Sequence, residues 1–129
     1  MADQPKMIMV VDDDHEFQQL MKAVFSDLGE FAVCSCLYGR AAPSLAKQKR
    51  PDLVILDLAM PDMDGWEVLA SLRVQPETAS IPVLIVSAAV NRLRRKPKDA
   101  DRLGKVITLE KPFDLTTLTD SVDYLLQQG

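Results

Sequence analysis

No stretch of this sequence approaches the roughly 18 consecutive apolar residues that a membrane-spanning helix requires. The opening Met1-Ala2-Asp3-Gln4-Pro5-Lys6 also lacks the charged-then-apolar layout of a secretory signal, so the chain reads as cytosolic. Histidine occurs once, at His15, and cysteine twice, at Cys34 and Cys36. A structural zinc site takes about four such ligands, which this inventory does not supply. The two cysteines stand two apart in a strand-like run, a spacing poorly suited to a local disulfide, and buried thiols are the better reading. There is no low-complexity tract, internal repeat or linker. Positive charge is in deficit, with 15 Lys and Arg against 19 Asp and Glu for a net charge of −4. The isoelectric point is about 4.9, whereas a nucleic-acid-binding domain usually exceeds roughly 9. One basic run, Arg92, Arg94, Arg95, Lys96 and Lys98, stands against that background, and a protein is the better-matched partner. What is present, 129 residues of which 47% are apolar, suits one packed core and leaves no room for a second domain.

Three short runs are almost wholly apolar: Met7-Ile8-Met9-Val10-Val11, Leu53-Val54-Ile55-Leu56 and Ile81-Pro82-Val83-Leu84-Ile85-Val86. Unbroken rather than alternating apolarity means burial on both faces, as in parallel strands covered by helices. Weaker runs at 31–36 and 105–109 complete five strands, and Pro82 falls near the start of its run, where a missing N–H is tolerated. Phe17, Leu20, Met21, Val24, Phe25 and Leu28 repeat at helical spacing and stop at Gly29. Leu115, Leu118, Val122, Leu125 and Leu126 form a second stripe behind a candidate N-cap, Asp114, and Trp66, Leu69 and Leu72 mark a third after Gly65. Residues 41–49 suit a short helix with Pro43 in its first turn. The stretch 91–104 should hold the last helix, but its basic residues and Pro97 predict a short, kinked or irregular one. Strict alternation of strand and helix gives a doubly wound α/β sheet with right-handed crossovers.

Chemistry collects behind the strands. Asp12-Asp13-Asp14 follows the first, Asp57 the third, Ser87 the fourth, and Lys111-Pro112 comes just after the fifth. In an open parallel sheet these positions share the carboxyl edge, where such folds bind ligands. Carboxylates crowded there repel one another unless a cation sits among them. Mg²⁺ suits such a place, since it takes hard oxygen ligands and bridges one or two carboxylates to a phosphate oxygen. A lysine adds a point charge for a carboxylate or phosphoryl oxygen, and Ser87 can donate a hydrogen bond to the same oxygen. A carboxylate at the tip of a buried central strand is the reasonable nucleophile for phosphoryl transfer.

Four segments in this order and spacing carry a family resemblance: Val10-Val11-Asp12-Asp13-Asp14; Pro51-Asp52-Leu53-Val54-Ile55-Leu56-Asp57-Leu58-Ala59-Met60-Pro61-Asp62-Met63-Asp64-Gly65; Ile81-Pro82-Val83 on to Ser87-Ala88; and Lys111-Pro112-Phe113. Over residues 6–126 the chain resembles the receiver domains of two-component response regulators. The resemblance implies one flavodoxin-like receiver domain over residues 6–127 with no output domain, its five parallel strands in the order 2-1-3-4-5 between two helical layers. It implies that Asp57 accepts a phosphoryl group from a phosphohistidine of a sensor kinase or phosphotransfer protein. Asp13, Asp57 and the backbone carbonyl of Ala59 would bind Mg²⁺ or Mn²⁺ directly, and Asp12 mostly through a metal-bound water. Ser87 and the Ala88 N–H would bond the phosphoryl oxygen, and Lys111 would pair with it. A cis Lys111-Pro112 bond is implied too. Such a protein is a phosphorylated switch rather than an enzyme with a separate substrate.

Blander readings stand beside these. An aspartate of the 12–14 triplet can simply cap the first helix, Asp57 can be a turn residue, Ser87 can satisfy local backbone groups, and Lys111 can be a solvated lysine. His15 reads as exposed in the first helical turn, and Trp66 and the six methionines as packing. Two features depart from the family pattern. Thr108 stands where relatives carry an aromatic switch residue, so a signal leaving Ser87 needs another element, and the segment 92–98 is expected to order or shift on phosphorylation. Small residues, Ala59 and Ala89, occupy the two positions that tune access of hydrolytic water. The rival classes are a phosphorylation-independent interaction module, a receiver piece of a larger regulator or hybrid kinase, an aspartyl phosphatase and a flavin binder. Asp57-Leu58-Ala59 lacks the second acid of the phosphatases, and no Ser/Thr/Gly-rich phosphate loop follows the first strand.

Overall fold

The computed structural model describes residues 5–98 and 103–127. The first four residues, read above for a leader, and residues 99–102 of the basic stretch lie outside the described residues. Five strands alternate with five helices: β1 (Lys6–Val11), α1 (His15–Asp27), β2 (Phe31–Cys36), α2 (Ala42–Lys49), β3 (Leu53–Asp57), α3 (Gly65–Val74), β4 (Val83–Ser87), α4 (Val90–Arg94), β5 (Val106–Glu110) and α5 (Leu115–Gln127). A 3₁₀ turn, Gly39–Ala41, leads into α2. The strands form one parallel sheet in the order β2-β1-β3-β4-β5. Every residue of β3 and β4 is buried, as their unbroken apolarity predicts, while β2 and β5 are edge strands and only partly covered.

Alternation along each strand sends neighbouring side chains to opposite faces. Ile8, Val10, Leu53, Ile55, Leu84 and Val86 meet Phe17, Met21 and Phe25 of α1 and Leu118, Val122 and Leu125 of α5. Met9, Val11, Val54, Leu56, Val83 and Ile85 meet Ala42 and Ala46 of α2 and Trp66, Val68, Leu69 and Leu72 of α3. The result is three layers with two apolar cores.

The helix ends follow their residues. Asp14 caps α1, its carboxylate accepting the Glu16 and Phe17 N–H groups at 2.9 and 3.4 Å. Asp114 accepts the Thr117 N–H at 2.7 Å ahead of α5, and Gly29 past α1 adopts φ +73°. The stripe read on α1 is wider than the face it buries. Leu20 and Leu28 are 49% and 48% exposed, while Gln18, which a search for apolar periodicity passes over, is buried. The thiols divide, Cys36 buried and Cys34 half-buried, and both are free. The helix expected in the basic stretch is short among the described residues. α4 runs five residues, buries none of them and has no side-chain cap.

Candidate functional site

The register brings four strand ends to one edge. Val11 lies beside Leu56, Asp57 beside Val86, and Ser87 beside Glu110, with Lys111 next along the chain. Asp12, Asp13 and Asp57 each offer an oxygen within 4.8 Å of the other two. Asp12 and Asp57 are 1% and 7% exposed, whereas Asp13 faces solvent. The acidic triplet divides its labour: Asp14 goes to the helix cap, and Asp12 and Asp13 go to the cluster.

The two buried carboxylates are held from behind. Asp12 Oδ1 accepts the Asp14 N–H at 2.9 Å, and Asp57 Oδ1 accepts the Ala59 N–H at 3.3 Å. Gln18 Nε2 reaches from α1 to the carbonyls of Val10 (2.8 Å), Asp12 (3.0 Å) and Cys36 (3.2 Å), binding the ends of β1 and β2 to the helix. On the other side Lys111 Nζ donates to Asp12 Oδ2 at 3.2 Å and lies 4.0 Å from the centre of the Phe17 ring. The Lys111 backbone N–H donates to the Ser87 carbonyl at 2.9 Å, and the Lys111–Pro112 bond is cis. Ser87 is wholly buried, and its Oγ accepts the Ala89 N–H at 3.0 Å, the local contact that a serine behind a strand favours. Ala88 and Ala59 are exposed at the rim and Ala89 is half-buried.

Burial pushes both the Asp12 and the Asp57 carboxyl above the usual carboxylate range, since desolvation penalises the charged form. At Asp57 the charge of Asp12 adds to the upward push. The Lys111 ammonium opposes it at both residues. One cation on three carboxylates leaves negative charge to be matched, and the donors are hard oxygens, a set that fits a small divalent cation.

The loop behind Asp57 is built for close approach. A Cβ on Gly65 would stand 2.6 Å from Leu58 Cα and 2.7 Å from the Asp57 carbonyl oxygen, so only glycine lets α3 begin against the strand end. Asp64 caps that helix through the Trp66 N–H at 3.0 Å, and Asp62 accepts the N–H groups of Gly39 and Arg40 at 3.1 and 3.0 Å. Trp66, read from sequence as packing, is indeed buried, and its indole N–H also donates to the Arg92 carbonyl at 2.9 Å, which fastens α4 to α3. Gln18, Phe17 and this indole are the participants that sequence reading missed. A polar residue inside an apolar helical stripe was the one available signal, at Gln18. His15 and Thr108 are exposed, Thr108 on the edge strand β5.

Comparison with known proteins agrees with this geometry. Residues 8–123 match the response regulator receiver domain. The chain is 29% identical over 115 residues to sporulation initiation phosphotransferase F of Bacillus subtilis, covering 89% of each. It is 33% identical over 121 residues to the DNA-binding dual master transcriptional regulator RpaA of Synechocystis, covering 94% of this chain but 49% of that regulator. The structure of chemotaxis protein CheY4 of Vibrio cholerae superposes with a TM-score of 0.78 at 26% identity, over 94% of this chain and 98% of the other. With its strand order, its acidic cleft and a match over most of its length, the chain belongs to the response regulator receiver domain family of two-component signalling.

Proposed function

We propose that Asp57 is the phosphoryl acceptor of this receiver domain and that residues 6–127 form the unit that carries it. The observation behind this is the meeting of three carboxylate oxygens within 4.8 Å at the tip of a buried strand, with Lys111 on one flank. An Asp57 oxygen attacks the phosphorus of a phosphohistidine, the P–N bond breaks, and the imidazole nitrogen keeps the electron pair and takes a proton. The donor is a sensor histidine kinase or a histidine phosphotransfer protein. Asp12, Asp13, Asp57 and the Ala59 carbonyl are the groups that would hold Mg²⁺ or Mn²⁺. Such an ion neutralises charge on the transferring phosphoryl oxygens. Lys111 supplies a second cation there, and Ser87 exchanges its contact with the Ala89 N–H for the phosphoryl oxygen, beside the Ala88 N–H. The chain's own catalysis extends to its phosphorylation and dephosphorylation, and the phosphorylated form switches a protein-binding surface. The cytoplasmic location read from sequence goes with that role.

Intact-mass measurement after exposure to a small phosphodonor with Mg²⁺ tests the reading. The wild type should gain one phosphoryl group, and Asp57→Asn should gain none. A wild-type chain that stays unmodified where a control receiver is modified would leave a phosphorylation-independent interaction module as the better account.

A further inference from the structure

Among the described residues the Lys111 ammonium meets one carboxylate and one aromatic ring. Its side chain is 22% exposed, with Asp12 Oδ2 at 3.2 Å and the face of the Phe17 ring centred 4.0 Å away. The ring is itself held firmly. Phe17 is 8% exposed, sits in the capped first turn of α1, and meets Phe113 edge-on at 6.5 Å with an interplanar angle of 83°. An aromatic face attracts a cation within about 6 Å of its centre, most strongly where water is partly excluded. Lysine is otherwise a flexible point charge on a four-carbon stem, free to swing into solvent. Asp12 alone is a shared tether, because one of its oxygens lies within 4.8 Å of oxygens of Asp13 and Asp57, and a divalent cation held by those oxygens would compete with the lysine for Asp12. Among the described residues no second cation lies over the ring.

We propose that Phe17 is a positioning residue for phosphoryl transfer, its ring face keeping the Lys111 ammonium at the mouth of the carboxylate cleft whether or not Asp12 is engaged elsewhere. This rests on the reading that Lys111 meets the phosphoryl oxygen on Asp57. The ring acts through its electrons rather than its bulk, and that separates the role from packing. Exchange of Phe17 for 3,4,5-trifluorophenylalanine drains the ring face of negative charge with little change in shape.

The experiment measures phosphorylation by phosphoramidate with Mg²⁺ as a function of donor concentration, in the full chain carrying phenylalanine, the monofluoro or the trifluoro ring at position 17. The rate per unit donor should fall stepwise with fluorination, by about threefold to tenfold at the trifluoro ring, while the unfolding midpoint stays put. Phe17→Trp should keep the rate and Phe17→Leu should lower it at least as far as the trifluoro ring. Without any phosphodonor, the Lys111 Hε protons should show an upfield ring-current shift in the wild type that Phe17→Leu abolishes. Equal rates across the fluorinated series, a faster Phe17→Leu chain, or unshifted Lys111 protons would each overturn the role, while a wild type that phosphorylates normally would leave the Asp57 reading intact. A wild type that acquires no phosphoryl group would sink both.

Discussion

Gly65 and Gly29 look alike in the sequence and differ in what a methyl group would meet. At Gly29 the cost is conformational, since φ is +73° and nothing lies within 4 Å of an added Cβ. A left-handed residue other than glycine costs about 1–2 kcal/mol. At Gly65 the added carbon would stand 2.6 Å from Leu58 Cα and 2.7 Å from the Asp57 carbonyl, both backbone, so neither can rotate aside. Overpacking of that kind costs about 1–3 kcal/mol. Gly65→Ala should therefore lower stability by about 2 kcal/mol in urea titration and, if Asp57 is the acceptor as proposed, also slow phosphoryl transfer, because the strain falls on the strand end that carries Asp57. Gly29→Ala should lower stability and leave the transfer rate unchanged. Equal transfer rates in the two variants would refute the assignment of the Gly65 contact to the site.

Two elements far apart on the chain depend on one arginine. From the end of α3, Arg73 donates to the carbonyls of Ile81 at 2.7 Å, of Thr78 and Lys105 at 3.4 Å, and of Leu103. It thereby ties the entries to β4 and β5 at the edge opposite the site. Burial lowers its pKa, yet it stays charged at neutral pH because arginine starts so high. Hydrogen bonds to a charged group contribute about 1.5–3 kcal/mol each and are not additive. Arg73→Met should cost about 2–4 kcal/mol, read from the shift of a denaturant midpoint, with phosphorylation preserved in the folded fraction. α4 stands at the other extreme, with no buried residue, no cap and Arg94, Arg95, Lys96 and Lys98 exposed around it. Among the described residues its ties include the Trp66 indole bond to Arg92 and the partial burial of Val90, Arg92 and Leu93. So weakly held an element opens at low cost, and amide exchange across residues 92–98 should change on addition of a phosphoryl mimic with Mg²⁺. Identical exchange with and without the mimic would place the responding surface elsewhere.

Across the whole molecule the cleft sets a pH dependence of its own. Asp12 and Asp57 have folded pKa values raised by burial above the ordinary carboxylate value of roughly 4. Their stabilising contribution is thus fully present below the unfolded value and is lost as pH rises through the folded one. Asp62, Glu77 and Asp114, held down chiefly by backbone hydrogen bonds, act the other way, and their contribution is lost as pH falls through their depressed values. Without divalent cations, the unfolding midpoint should rise on mild acidification from neutral, then fall below about pH 4. A cation that binds only the folded chain adds about 2.7 kcal/mol at a hundredfold excess over Kd. Mg²⁺ at neutral pH should therefore raise the midpoint in wild type much more than in Asp57→Asn. A midpoint unmoved by Mg²⁺ would contradict the assigned ligands.

The three layers and the gathering of Asp12, Asp13, Asp57, Ser87 and Lys111 behind strand ends were legible in the residues, because continuous apolar runs and the polar residues that follow them are local signals, whereas the strand order came from the family resemblance. Parallel strands then have to deliver their ends to one edge. The pairing of Lys111 with Asp12, Phe17 beneath that lysine, Gln18 across three carbonyls and the Trp66 indole on α4 were not legible. Each joins residues from different elements, and which side chain meets which depends on the register of the sheet and on the rotation of each helix against it. The local pattern alone determined where the carboxylates stand; only the packing of α1 and α3 on the sheet decided what holds them and the lysine in place.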